Sequence, residues 1–258
     1  MCHFKQNLGT ARMEDSDQSG TVVAVCQMNS TIEVERNLEI CEDLIRKAKT
    51  RGAKMVFLPE CFDYVAESSE QACSMAAPLQ SPRMQCMCAL AQELGVWLSL
   101  GGYHEQGPPG EKRLYNSHVI VNDSGVIVEV YHKMHLFDVN VQDGPRLKES
   151  NAVIPGDKIV PPVPTPVGNV LLRSRAIENQ CYVIAAAQTG QHNAKRRSYG
   201  HAMIVDPWGC VIAQCGEGND LSVAEIDLAY LNKVRQQMPI MNHKRKDLYG
   251  KLNSCPKL

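Results

Sequence analysis

Residues 22–60, VVAVCQMNSTIEVERNLEICEDLIRKAKTRGAKMVFLPE, hold a strand, a helix and a second strand in sequence. Val22–Gln27 is a short apolar run of strand type. Ser30 and Glu33 have the spacing of a capping box, which predicts a helix entrance. Beyond it Val34, Leu38, Cys41, Leu44, Ile45 and Ala48 recur at helical spacing and form one apolar face. Gly52 stops the helix. Met55–Leu58 is a continuous apolar run, suited to a strand covered on both faces. The unit is β-α-β, and its second strand ends on Pro59-Glu60.

The same grammar continues outward. Ser81 caps and Pro82 opens a helix that runs through Leu94 to Gly95, and Val96–Leu100 is the next strand. Alternation of this kind predicts an α/β domain with helices covering a sheet. Tyr115–Val121 and Val126–Tyr131 form a hairpin about Asn122-Asp123-Ser124-Gly125, and its second strand runs into His132-Lys133. Residues 134–158 read as a long polar connection, a kind that is usually functional or disordered. A second hairpin centres on Pro207-Trp208-Gly209. Tyr182–Ala187 and Leu221–Ile226 are later strands, and Tyr230–Gln237 is a short helix closed by Pro239. Residues 1–20 are expected to be a disordered lead-in, 21–250 a single domain and 251–258 a tail.

Composition narrows the function classes. The chain has 258 residues, a formal charge of −1 and 44% apolar residues, enough for a sizeable core and no case for nucleic acid. No apolar stretch reaches the ~18 residues of a membrane-spanning candidate. The 11 cysteines are odd in number and scattered through strands and helices, as expected of reduced thiols in an intracellular protein. There is no CxxC, and Cys86-x-Cys88 and His132-x-x-His135 lack companions at zinc-site spacing. Residues 1–13 carry Lys5 and Arg12 and no acid, but Glu14-Asp15-Ser16-Asp17 interrupts them. The expected location is therefore cytoplasmic, with a mitochondrial presequence as the alternative.

Open α/β sheets bind ligands beyond the carboxyl ends of their strands. Glu60 and Lys133 both stand at such ends. Singly they are ordinary: an acid after a strand is usually a surface residue, and a lysine there usually snorkels. Together they could serve a nucleophile, the carboxylate taking a proton and the ammonium stabilising an oxyanion. Glu149 in the long loop could orient the base or the substrate.

FLPECF around Glu60, YHKMHLFDV around Lys133, RAIENQCYVIAAAQ at 175–188 and SYGHAMIVDPWG at 198–209 carry a family resemblance, extended by the LYG ending at Gly250. In this order they resemble the nitrilase superfamily of carbon–nitrogen hydrolases. The likeness is to the animal branch containing deaminated glutathione amidase more than to its omega-amidase sister. The resemblance implies an α-β-β-α sandwich that dimerises or tetramerises by stacking sheets. It also implies amide or nitrile hydrolysis through a covalent intermediate on a Glu-Lys-Cys triad, with no cofactor and with a small carboxylate-bearing amide as substrate. Matched by motif, Glu60 is the general base, Lys133 the oxyanion-stabilising lysine and Glu149 the supporting acid.

The nucleophile has no counterpart. Where the family has a strand-turn resembling GLAVCYD, PTPVGNV here runs directly into LLRSRAIENQ at Val170–Leu171. Two strands and a helix, roughly 40 residues at ordinary element lengths, are missing by this reading. Cys181 should lie at the amino end of a strand, a strand length from the site, and Cys61 should point away from Glu60 as a core thiol. The expectation is therefore an inactive member, whose lost strands would remove more than the ~5–15 kcal/mol margin of a typical domain. The alternatives are a non-catalytic variant that associates with intact subunits, and a non-productive splice or gene-model product.

Overall fold

The computed structural model describes residues 20–140, 146–158, 160, 163, 165, 166, 176 and 180–238. The Val170–Leu171 junction, Pro239 and the Gly250 ending lie outside them. Strand β1 (Thr21–Met28), helix α1 (Val34–Thr50) and strand β2 (Met55–Leu58) form the β-α-β unit that the opening stretch predicts. The two strands pair in parallel, Val23 against Met55 and Val25 against Phe57. All four residues of β2 are buried.

The entrance to α1 differs from the capping-box expectation. Glu33 occupies the N-cap and makes no side-chain cap bond. Ser30 is fully buried, and its hydroxyl accepts from Gln188 Nε2 at 2.7 Å. A partner far along the chain thus competes successfully with the local cap. Asn37 closes the entrance instead, donating to the Thr31 carbonyl at 2.8 Å and accepting from the Thr31 N–H at 3.0 Å.

Helix α2 (Ser69–Met75) has no apolar period that announces it, and none of its residues is buried. Helix α3 (Pro82–Leu94) follows its sequence signals: the Ser81 hydroxyl accepts from Met84 N–H, and Gly95 ends it in the left-handed conformation. Strands β3 (Trp97–Gln106), β4 (Leu114–Val121) and β5 (Ile127–His132) extend the sheet. β3 runs parallel to β2, β4 antiparallel to β3, and β5 antiparallel to β4. It follows that β2 and β5 end at the same edge, where β4 begins.

The long polar segment holds more structure than expected. Strands β6 (Asp138–Asn140) and β7 (Arg146–Lys148) pair antiparallel, and a single 3-10 turn covers Glu149–Asn151. Beyond it lie β8 (Val183–Ala185), β9 (Ala187–Gln191), β10 (Arg197–Tyr199), β11 (Met203–Val205), β12 (Val211–Gln214), β13 (Asp220–Ile226) and helix α4 (Leu228–Gln237). The run expected as one strand at Tyr182–Ala187 is two. β8 belongs to a three-stranded sheet with β11 and β12, and β9 to the eight-stranded sheet beside β1, so the chain changes sheet at Ala186.

Alternation along the strands builds the layers. On one face of the large sheet Ala24, Val56 and Leu98 pack against Leu44 and Ile45 of α1 and Met87 of α3. On the other face Val23, Val25, Met55 and Phe57 meet Ile184 and Ile204 of the second sheet. The outer face of that sheet, Val183, Met203 and Val205, packs with Cys181 and the helical residue Ala176. The order is α-β-β-α. Cys181 lies in this outer layer, at the amino end of β8, as its position in the sequence predicts.

One irregularity positions the site. The β3–β4 register shifts between Leu100 and Tyr103, over Gly101-Gly102. Gly102 has φ +73°, and a Cβ there would stand 2.6 Å from Glu60 Cγ and 2.9 Å from Asn116 Oδ1. Gly102→Ala is therefore expected to cost about 1–3 kcal/mol through strain and collision, read as a lower midpoint in urea unfolding. Ser81→Ala removes a helix cap and also the 2.8 Å bond to the Tyr103 hydroxyl. Its expected cost is about 1–2 kcal/mol in the same measurement.

Candidate active site

Glu60, Lys133 and Glu149 come together at the edge where β2 and β5 end. Lys133 Nζ stands 3.1 Å from Glu60 Oε1 and 3.1 Å from Glu149 Oε2. Each approach has its own local cause. The Lys133 N–H donates to the Asn116 carbonyl at 2.9 Å, which fixes the lysine just past β5 opposite the start of β4. Glu149 opens the 3-10 turn, and two neighbouring bonds seat that turn on β4: Leu114 N–H to Ala152 at 2.9 Å and Ile154 N–H to Leu114 at 2.8 Å. Leu114, Ala152 and Val153 form a small core with Ala72, Cys73 and Ala76. That is what α2 and its flank contribute.

Asn116 joins the cluster without any signal in the sequence, where it is one polar residue in a strand. Its amide donates to Glu60 Oε1 at 2.6 Å and to Glu149 Oε1 at 3.3 Å. Gln188 is a second such residue, although it ends one of the quoted motifs. Its Nε2 donates to the carbonyls of Glu60 at 2.9 Å and Cys61 at 3.1 Å, tying the turn after β2 to β9. The Phe137 N–H donates to Glu149 Oε2 at 2.5 Å.

The electrostatics follow from this packing. Burial would raise the Glu60 carboxyl, but the Lys133 ammonium and the Asn116 amide outweigh it and hold it below the usual carboxylate range. Burial would lower Lys133, and Glu60 and Glu149 outweigh that in turn, so the ammonium is held above its usual range. The side chains are 54% (Glu60), 28% (Lys133) and 18% (Glu149) exposed. The ions are thus reachable from solvent, with Glu60 the most open. The cluster offers a fixed carboxylate, a fixed cation and a supporting acid, the groups required around a nucleophile in acyl transfer.

Beside it lies a second polar group. Asp63 is fully buried, and its Oδ1 stands 2.7 Å from His104 Nδ1. Burial would lower the imidazole, but the Asp63 carboxylate, with Cys61 alongside, pushes His104 up to about 10. Cys61 is half-buried with φ 60°. It sits in a turn, so the extended geometry that would send it to the core opposite Glu60 does not hold. Among the described residues no three His, Cys, Asp or Glu side chains are grouped to hold a metal ion, and no helix is long and apolar enough to cross a membrane. No disulfide links two of the described cysteines.

The carbon-nitrogen hydrolase family profile matches residues 22–171 and 168–236. Deaminated glutathione amidase of Bos taurus is 42% identical over 275 residues, covering 90% of this chain and 84% of that protein. The Homo sapiens protein of the same name is 40% identical over 275 residues, with the same coverage of 90% and 84%. The crystal structure of the Caenorhabditis elegans NitFhit protein is similar at a TM-score of 0.84 and 38% identity, covering 91% of this chain and 67% of that one. Saccharomyces cerevisiae Nit3, at 24% identity and a TM-score of 0.73, shares the fold. With a profile spanning most of the chain and relatives this similar, the chain belongs to the carbon–nitrogen hydrolase family.

Proposed function

We propose that this chain is a member of the deaminated glutathione amidase type that retains the charged part of the family's site, lacks the nucleophile and does not turn over amides. Glu60 stands where a general base would take a thiol proton. Lys133 stands where an ammonium would face the oxyanion of a tetrahedral intermediate, and Glu149 supports both by holding the lysine. The substrate class of the type is a small amide bearing a carboxylate, and the reaction uses no cofactor.

The observation that carries this reading is the absence of any cysteine between Glu149 and Ala176. A deletion accounts for it. The alignment to the Bos taurus relative runs over 275 positions yet uses 90% of a chain of 258 residues. That leaves on the order of 40 positions without a residue of this chain, the length of two strands, a helix and their connections. The two stretches matched by the family profile overlap at residues 168–171, the neighbourhood of Val170–Leu171. Without a thiol, Glu60 has no proton to take and Lys133 no intermediate to stabilise.

An amide-hydrolysis assay on the purified chain, beside a version with the family segment restored between Val170 and Leu171, tests the proposal. The chain as it stands is expected to give no turnover above background. The restored version should be faster by at least about 10³-fold, the scale of losing a nucleophile. Equal rates would overturn the reading.

A further inference from the structure

One end of the large sheet is not used by the amidase reading. β10 is the last strand there, with β9 on one side and no strand among the described residues on the other. The antiparallel register sets Arg197 against Gln191 and Tyr199 against Thr189. Flanking these pairs, the His192 N–H donates to the Arg196 carbonyl at 2.9 Å and the Gly200 N–H to the Gln188 carbonyl at 3.1 Å. Hydrogen-bonded and non-hydrogen-bonded pairs alternate along such a ladder. Arg197 and Tyr199 therefore turn their N–H and C=O groups away from β9, toward the open edge. The hairpin that carries them is firmly seated. His192 is buried, with Nδ1 2.6 Å from the Ser30 carbonyl oxygen and Nε2 2.8 Å from Ser198 Oγ. Within the turn, Asn193 Oδ1 accepts from the Lys195 N–H at 3.0 Å.

The side chains at this edge are cationic and aromatic. Lys195, Arg196 and Arg197 are exposed, and none of them belongs to an ion pair among the described residues. Tyr199 is 85% exposed, and its ring centroid lies 4.3 Å from that of His201. Arg197 and Tyr199 stand two apart in a strand and so share a face. We infer that the β10 edge is a docking surface for an acidic segment of another protein, which adds to the sheet as an extended strand. Main-chain bonds to Arg197 and Tyr199 supply the pairing, carboxylates match Lys195, Arg196 and Arg197, and an apolar side chain covers Tyr199. A second copy of the same edge is the wrong occupant, because it sets cations against cations, the device by which edge strands avoid their own kind. A nucleic acid would meet the charges but has no strand backbone for the open groups. The seated hairpin presents the edge ready-made, so little ordering remains to oppose binding on this side.

The test titrates a fluorescein-labelled peptide, Asp-Glu-Asp-Thr-Val-Thr-Val-amide, with the full-length chain and follows fluorescence anisotropy. Saturable binding is expected. The same peptide with every Thr and Val N-methylated keeps its charge but cannot pair as a strand, and should bind at least about tenfold more weakly. Reversing the patch with Lys195→Glu, Arg196→Glu and Arg197→Glu together should also weaken binding about tenfold or more, and Tyr199→Ala about threefold. No saturable binding to the wild-type chain would overturn the proposal. Equal binding of the N-methylated peptide would do so too, since charge alone would then hold it. A single-stranded RNA that displaces the peptide at tenfold lower concentration than unlabelled peptide does would reassign the surface to polyanions and overturn it as well. These three outcomes use the wild-type chain, so they hold whether or not the variants fold. None depends on amide turnover, so the amidase reading stands or falls separately.

Discussion

Lys133 places one positive charge between two carboxylates, and the geometry of three otherwise unrelated segments depends on it. Glu60 comes from the turn after β2, Glu149 from the 3-10 turn after β7, and Lys133 from the end of β5. Brought together without the ammonium, the two acids would repel each other. With it, and with Asn116 donating to both acids, the cluster is internally satisfied. The backbone prepares the meeting by putting the ends of β2 and β5 at one edge. The bulge at Gly101-Gly102 then clears space for the Glu60 side chain.

The fold was legible wherever local chemistry and tertiary structure agree. The period of α1, the unbroken apolar run of β2, the Ser81-Pro82 entrance and Gly95 exit of α3, and the turn Asn122–Gly125 all carry their meaning within a few residues. The misreadings share one cause. Ser30 has the spacing of a cap but bonds Gln188, and nothing local announces a partner so far along the chain. The run Tyr182–Ala187 divides between two sheets at Ala186, and hydrophobicity alone does not distinguish one strand from two. Helix α2 lacks an amphipathic period because it buries no residue of its own fully.

The site divides in the same way. Glu60 and Lys133 were visible because strand ends are where such folds concentrate chemistry, and Glu149 because a motif resemblance pointed to it. Asn116 and Asp63 were not visible, since a polar residue in a strand and an acid after a turn have many ordinary explanations. Cys61 was misjudged because the alternation rule was extended past the end of β2. The backbone there turns left-handed, and the thiol is only half-buried.

The passage of the chain from one sheet to the other at Ala186 has a mechanical meaning. β8 and β9 are consecutive, share no connecting loop, and are each hydrogen-bonded into a different sheet. Any sliding of the sheets would have to strip one of these strands from its ladder. The two sheets are thus riveted at Ala186, and the apolar layer between Phe57 and Ile204 is protected from shear there. The Glu60 turn is fastened to the same rivet through Gln188, the second residue of β9. Disturbance in the outer layer would reach the charged cluster through this covalent link sooner than through the packed side chains between the sheets.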